Sequence, residues 1–260
     1  MNSRSKRGWL VCAGLLGLAI FAYDFGRAIE LYYLTKRAAK DDASLVRVPV
    51  PATTSRISQP AGKAFAFFGV EFQVPWGGEP KLKQSQLSAR VQFPEGQFVL
   101  LFDPSQGVDR IKVLTESGAG RYSERVFGSD AMRSNYAMVN SLLNVTPKDI
   151  SLWMPRVQLV RNCIFLMLKP TELVNTETGL FQFQNQRMRG FQKGDPAKSE
   201  AVDLDAFDAD DREYKIFVGR TKGTHGSLRQ EDINLILSTL KFTRPTPQAD
   251  KKSDGSSATN

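Results

Sequence analysis

The chain holds 260 residues, 41% of them apolar, enough for one substantial core with appendages. Its formal charge of +8 is unevenly placed: residues 1–63 hold 10 Lys/Arg against 4 Asp/Glu, residues 64–243 hold 22 against 21, and residues 244–260 hold 3 against 2. A phosphate-binding domain concentrates cations on its folded surface, so a nearly neutral body excludes nucleic acid as the expected partner.

The cationic excess belongs to the leader. Arg4, Lys6 and Arg7 precede a charge-free run from Gly8 to Tyr23, GWLVCAGLLGLAIFAY. As a helix this run spans about 24 Å, short of a hydrocarbon core of about 30 Å. Three readings stay open. In the first, an uncleaved anchor is built on Trp9, Leu10, Val11, Leu15, Leu16, Leu18, Ile20, Phe21 and Tyr23, and the helix continues in water through DFGRAIELYYLTKR. In the second it is a signal peptide, whose cut would need the small residues Gly26 and Ala28, leaving a secreted or periplasmic body. In the third it is an ordinary buried helix. The anchor is the reading adopted, with a cytoplasmic N-terminus and an extracytoplasmic body, although Lys36, Arg37 and Lys40 weaken the charge bias. Cys12 follows Val11, not a small residue, which speaks against a lipoprotein cut. With Cys12 in the leader and Cys163 in the apolar CIFLML, no internal disulfide is expected and the redox compartment stays open.

The expected organisation is a basic start, anchor and extension over 1–37, a Pro/Ser/Thr/Ala-rich tether over 38–63, a globular domain over 64–243 and a disordered tail over 244–260. In the body, GVEFQVPW alternates Val70, Phe72, Val74 and Trp76 with polar residues, as a half-buried strand does. SARVQF repeats the alternation, PEG at 94–96 turns the chain, and QFVLLFD is apolar on both faces, which predicts a central strand and an antiparallel start. The middle changes period. Ser129 is placed to cap a helix over 130–144 carrying Met132, Tyr136, Val139 and Leu143, and Thr146, Pro147 and Asp149 mark a second helix start. Residues 155–168 fit a buried helix or a buried strand equally well. Strands return with LFQFQNQRMRGF, AVDLDAFD and REYKIFVGR. A last helix follows, with Ser227 and Gln230 as a capping box and Leu228, Ile233, Ile236, Leu237 and Leu240 as its apolar stripe.

Few motifs point to chemistry. His225, in KGTHGS, has no assigned nucleophile or water and reads as an exposed loop residue, and the His and Cys content is too thin for a zinc site. SGAG at 117–120 lacks the endings of both phosphate-binding loops, and no G-x-S-x-G elbow occurs. Arg187, Arg189 and Lys193, interleaved with Phe191, are candidates for an anionic-partner surface or a plain strand exterior. Asp203, Asp205, Asp208, Asp210 and Asp211 crowd one segment. Counted from Asp203, an EF-hand would need a ligand at Phe207, a glycine at Asp208 and a glutamate at Tyr214, so the pattern fails. A hairpin with a solvated, turn-forming DADD tip explains them better, with a weak exposed cation site as the alternative. No cofactor is expected.

GVEFQVPW together with RGFQKGDP, VDLDAFDADDREYKIFVGR and EDINLILSTLKF resembles the PsbP family of photosystem II extrinsic proteins and its non-photosynthetic bacterial relatives. Gly69, Phe72, Pro75 and Trp76 match the family's opening Gly-x-x-Phe-x-x-Pro-x-x-Trp strand with a shortened Pro-to-Trp spacing, and the likeness covers about 64–242. The resemblance implies an α+β fold, an α/β/α sandwich around a central antiparallel sheet, often exported and acting by binding or assembly without catalysis. The expected role is a membrane-tethered extracytoplasmic module of a bacterial envelope with an envelope protein as partner. An enzyme whose site is assembled from residues distant in sequence is the alternative.

Overall fold

The computed structural model describes residues 28–40, 42–52, 62–107, 109–116 and 120–242. The expected anchor, Trp9 to Tyr23, the expected tail, 244–260, and residues 117–119 of the SGAG turn lie outside the described residues. Among the described residues no helix is long and apolar enough to cross a membrane.

In chain order the helices are α1 (Ala28–Lys40), α2 (Arg110–Glu116), α3 (Gly120–Phe127), α4 (Ser129–Met132), α5 (Asn135–Asn144), α6 (Arg156–Leu168) and α7 (Gln230–Thr239). The strands are β1 (Val50–Pro51), β2 (Lys63–Phe67), β3 (Val70–Val74), β4 (Lys81–Gln84), β5 (Ser88–Gln92), β6 (Gln97–Phe102), β7 (Leu180–Gln184), β8 (Arg189–Lys193), β9 (Ala201–Phe207), β10 (Glu213–Arg220) and β11 (Lys241–Phe242). The chain is thus a mixed α+β protein. Eight strands form one sheet in the order β1-β7-β8-β9-β10-β6-β5-β4, and β11, β3 and β2 form a second, smaller sheet. The large sheet is mixed, because β1 joins its edge parallel to β7 while the other pairs are antiparallel.

Alternation along the strands gives the large sheet two different faces. Val202, Leu204 and Ala206 of β9, with Tyr214, Ile216 and Val218 of β10, enter a core shared with β3 and α7. Phe207 and Phe191 point the other way, into a core made by α1, α3, α5 and α6. β6 lies inside the sheet between β10 and β5, as expected of a central strand, and it too alternates, with Val99 and Leu101 buried and Phe102 exposed. In the small sheet, β2 and β3 are joined by Phe68 and Gly69, both at positive φ (51° and 74°). A two-residue turn of this kind matches the strand twist, which accounts for the glycine at the head of GVEFQVPW.

Several sequence expectations need correction. Residues 130–144 are two helices, not one, because Ser134 turns extended (φ −163°, ψ 157°) and its hydroxyl accepts the Ala137 N–H at 3.0 Å. Ser129 is the first residue of α4, not a cap. Thr146, Pro147 and Asp149 make only a single 3-10 turn, closed by the Thr146 N–H on Asp149 at 2.8 Å. Residues 156–168 are helix, buried at Leu159, Val160, Cys163, Ile164, Phe165 and Leu166. The cap of α7 is Arg229, whose N–H meets Asp232 at 3.0 Å. Ser227 and Gln230 do not form the box, since buried Leu228 keeps the chain extended into the core before the helix begins. The stretch expected as a water-exposed helical extension buries Ala28, Leu31 and Thr35, with Ala28 and Leu31 in the core that α6 shares. The expected tether is structured at its start: Leu45 is buried, and Val50 and Pro51 pair with Phe181 and Gln182.

Candidate functional site

The five aspartates do not act together as a solvated tip. β9 and β10 do form the expected hairpin, with Phe207 opposite Glu213. Asp208 stabilises the turn, accepting the N–H groups of Asp210 and Arg212 at 2.9 Å each and the Tyr214 hydroxyl at 3.0 Å. Asp210 is exposed and meets Arg212 at 3.2 Å. Asp211, at positive φ (62°), turns towards the helical layer and accepts the N–H groups of Asn135 and Tyr136 at the start of α5. Asp203 and Asp205 are buried on the helix-covered face of the sheet. Among the described residues no group of His, Cys, Asp and Glu is arranged to hold a metal ion.

Asp205 belongs to a buried ion network that sequence reasoning missed. The Lys193 ammonium stands 2.6 Å from Asp205 and 3.4 Å from Glu172. Arg110, at the start of α2, reaches Glu172 at 3.0 Å and Glu213 at 2.6 Å. Lys215 lies 3.8 Å from Asp205 and 3.5 Å from Glu213. Arg110, Lys193 and Lys215 therefore balance Glu172, Asp205 and Glu213, as a buried cluster of charge requires. Burial drives the Glu172 carboxyl upward, but Arg110, Lys193 and Lys215 outweigh it and hold the group well below the usual carboxylate range. Burial likewise raises Asp205, and Lys193 and Lys215 overcome it to leave the carboxyl lowered. Asp205 and Glu213 in turn hold the Lys215 ammonium above its ordinary range.

Asp203 differs. Burial, helped by the nearby Asp205 charge, pushes its carboxyl from 3.8 to about 6, against the pull of a 2.8 Å hydrogen bond from Asn175 Nδ2. Its Oδ1 is buried without a hydrogen-bond partner among the described residues.

Glu213, though buried, lines the floor of an open groove of about 540 Å³ between α2, the α4–α5 junction and the β9–β10 turn. Asp109, Lys112, Arg133, Asn135 and Asp211 line it too. Its walls are tied together by capping: Asn135 Oδ1 accepts the Arg110 N–H at 2.8 Å and the Ile111 N–H at 3.3 Å, while its amide donates to Asp109 at 3.2 Å. The groove is consequently polar and pre-organised, with both signs of charge at its rim.

Arg187, Arg189 and Lys193 do not form one surface. Arg187 is exposed in the β7–β8 turn, Arg189 stacks on the Tyr136 ring at 4.2 Å, and Lys193 is enclosed in the network. His225 is exposed in the loop before α7, and Cys163 is a buried free thiol raised by desolvation. The legible signal for the network was the facing pair Asp205 and Lys215 at mirrored positions of the hairpin, whereas Arg110 and Glu172 carried none. No family model, curated protein or solved structure matches the chain.

Proposed function

We propose that the chain is a membrane-tethered binding or assembly module of a bacterial envelope, its N-terminus cytoplasmic and its body extracytoplasmic, built as a PsbP-like α/β/α sandwich and acting without catalysis. The observation that carries this reading is the groove beside Glu213, wide enough for a short peptide segment and rimmed by Lys112 and Arg133. The engagement of its polar groups supports binding over reaction. Of its lining hydroxyls, Ser134 Oγ accepts the Ala137 N–H and Thr115 Oγ1 donates to the Ile111 carbonyl, while Asp211 is engaged at the start of α5. The basic leader and the charge-free run after it support the tether and its orientation. The partner is a protein of the envelope with a segment that bears both charges.

Crosslinking of the full chain in membranes, followed by purification and mass spectrometry, tests the groove. Lys112→Glu with Arg133→Glu should abolish the crosslinked partner at unchanged melting temperature, and capture at wild-type levels would sink the proposal. A compartment-dependent reporter fused after Phe242 tests the orientation, which cytoplasmic-only activity would refute. A second reading, an enzyme of unseen class, is favoured by Asp203, whose carboxyl near 6 and unpartnered Oδ1 suit proton transfer. It requires a substrate path to Asp203, and turnover lost in Asp203→Asn would establish it.

A further inference from the structure

α1 and α6 run side by side in the same direction. The Thr35 hydroxyl meets the Cys163 thiol, and the Lys36 ammonium donates to the carbonyl of Pro147, whose turn is held to Asn162 through Asp149. Further along, Lys169 Nζ donates to the Leu45 carbonyl at 3.1 Å. Contacts that advance together in both segments place the two helix starts, Ala28 and Arg156, at one end. Seven residues back from the Thr35–Cys163 contact is about 10 Å along each helix.

That end is unusually apolar for a surface facing water. Trp153 is 97% exposed, Leu152 42% and Val157 37%, and on α1 Ile29 is 58% exposed. Scattered exposed aliphatic residues are ordinary, but a tryptophan with almost no protein contact at the same end as three others is not. Arg156 is exposed next to them, no carboxylate occurs from Ile150 to Thr171, and Glu30 is the acidic group on the facing turn of α1. The same end receives the leader. The charge-free run Gly8–Tyr23 stops four residues before Ala28, which limits the separation to about 18 Å of extended chain.

We propose that this end of the body rests on the bilayer surface beside the anchor. Trp153 enters the headgroup region, Leu152, Val157 and Ile29 reach the acyl boundary, and Arg156 meets lipid phosphates. Tryptophan favours this depth because its ring is apolar while its N–H needs a polar partner. The contact resembles that of a monotopic surface, and the anchor supplies the local concentration that so small a patch needs. This inference rests on the tethered reading and gives the body a defined orientation on the membrane.

The test uses the full chain in phosphatidylethanolamine/phosphatidylglycerol vesicles, comparing wild type with Trp153→Phe, so that the difference isolates Trp153 from Trp9 and Trp76. Lipids brominated near the headgroup should remove most of the Trp153 emission, and aqueous iodide should remove little. Efficient iodide quenching without bromolipid quenching would overturn the proposal. Shielding from both quenchers would also overturn it, by showing a protein partner on Trp153. Flotation after an alkaline carbonate wash separates the two readings: a chain that fails to float refutes tether and contact together, whereas one that floats with Trp153 open to iodide refutes the contact alone.

Discussion

Arg110 holds Glu213 in a two-pronged pair, Nη1 to Oε2 at 2.6 Å and Nη2 to Oε1 at 3.1 Å, joining the start of α2 to the start of β10. The same Nη2 reaches Glu172 at 3.0 Å. Truncating this guanidinium leaves Glu172 only the longer contact with Lys193 and Glu213 only that with Lys215, one cation short in a buried cluster. Arg110→Met should therefore lose about 3–5 kcal/mol of unfolding free energy in urea. Arg110→Lys should recover only part of it, because an ammonium cannot satisfy both carboxylates in a planar fork.

The pH dependence of this network has a definite sign. Glu172 and Asp205 titrate below their ordinary values in the folded protein. Their contribution is full above the unfolded carboxylate range and is lost as pH falls towards their folded values. Unfolding titrations below about pH 4 should consequently show a flatter acid limb in Glu172→Gln than in wild type.

Asp203 acts in the opposite direction. Between 3.8 and about 6 the folded chain binds a proton that the unfolded chain has released, so stability falls as pH rises through this window. Asp203→Asn should abolish that slope and stabilise the protein at pH 7 by up to about 3 kcal/mol. Chemical denaturation at several pH values measures both, and an unchanged slope would count against a buried, uncompensated carboxyl.

Lys169 is enclosed, donating to the carbonyls of Leu45 and Val145 at 3.1 and 2.7 Å, and burial lowers its pKa from 10.5 to about 8. The folded state releases this proton first, so stability rises as pH climbs from about 8 towards 10.5. Lys169→Met should remove that rise. At pH 7 the loss of about 1–3 kcal/mol at the two carbonyls left without a donor should be largely offset by the charge no longer buried, so the melting temperature there should change little.

Asp211 joins the hairpin to the helical layer by capping α5. Asp211→Ala should cost about 1 kcal/mol, with Asp211→Asn much milder since the amide oxygen still accepts and asparagine tolerates positive φ. Because Asp205 is taken up by the ion network, Asp208 by the turn, Asp211 by the cap and Asp203 is buried against Asn175, calcium at millimolar levels should leave the melting temperature unchanged. A large saturable rise would refute that division.

Residues whose partners are neighbours in sequence were readable in advance. Alternation in GVEFQV and in both arms of the 201–220 hairpin reports a local period of two, and the burial of Val70, Phe72, Val74, Val202, Leu204 and Ile216 follows it. Residues 156–168 were not, because a helix buried on nearly every side has no polar stripe to reveal its period. The placement of Asp203 and Asp205 shows the same limit more sharply. Sequence alone put them on a strand flanking a turn, but charge in a strand ordinarily means solvent. Only the tertiary structure enclosed Lys193 against Asp205 and brought Arg110 and Glu172 from distant parts of the chain to complete a balanced network, while it left Asp203 buried with Asn175 as its hydrogen-bond partner. Local patterning thus determined the hairpin, the turn and most strands. Long-range electrostatics decided which charges are buried, because the free energy of a buried ion depends on partners that the chain brings together only on folding.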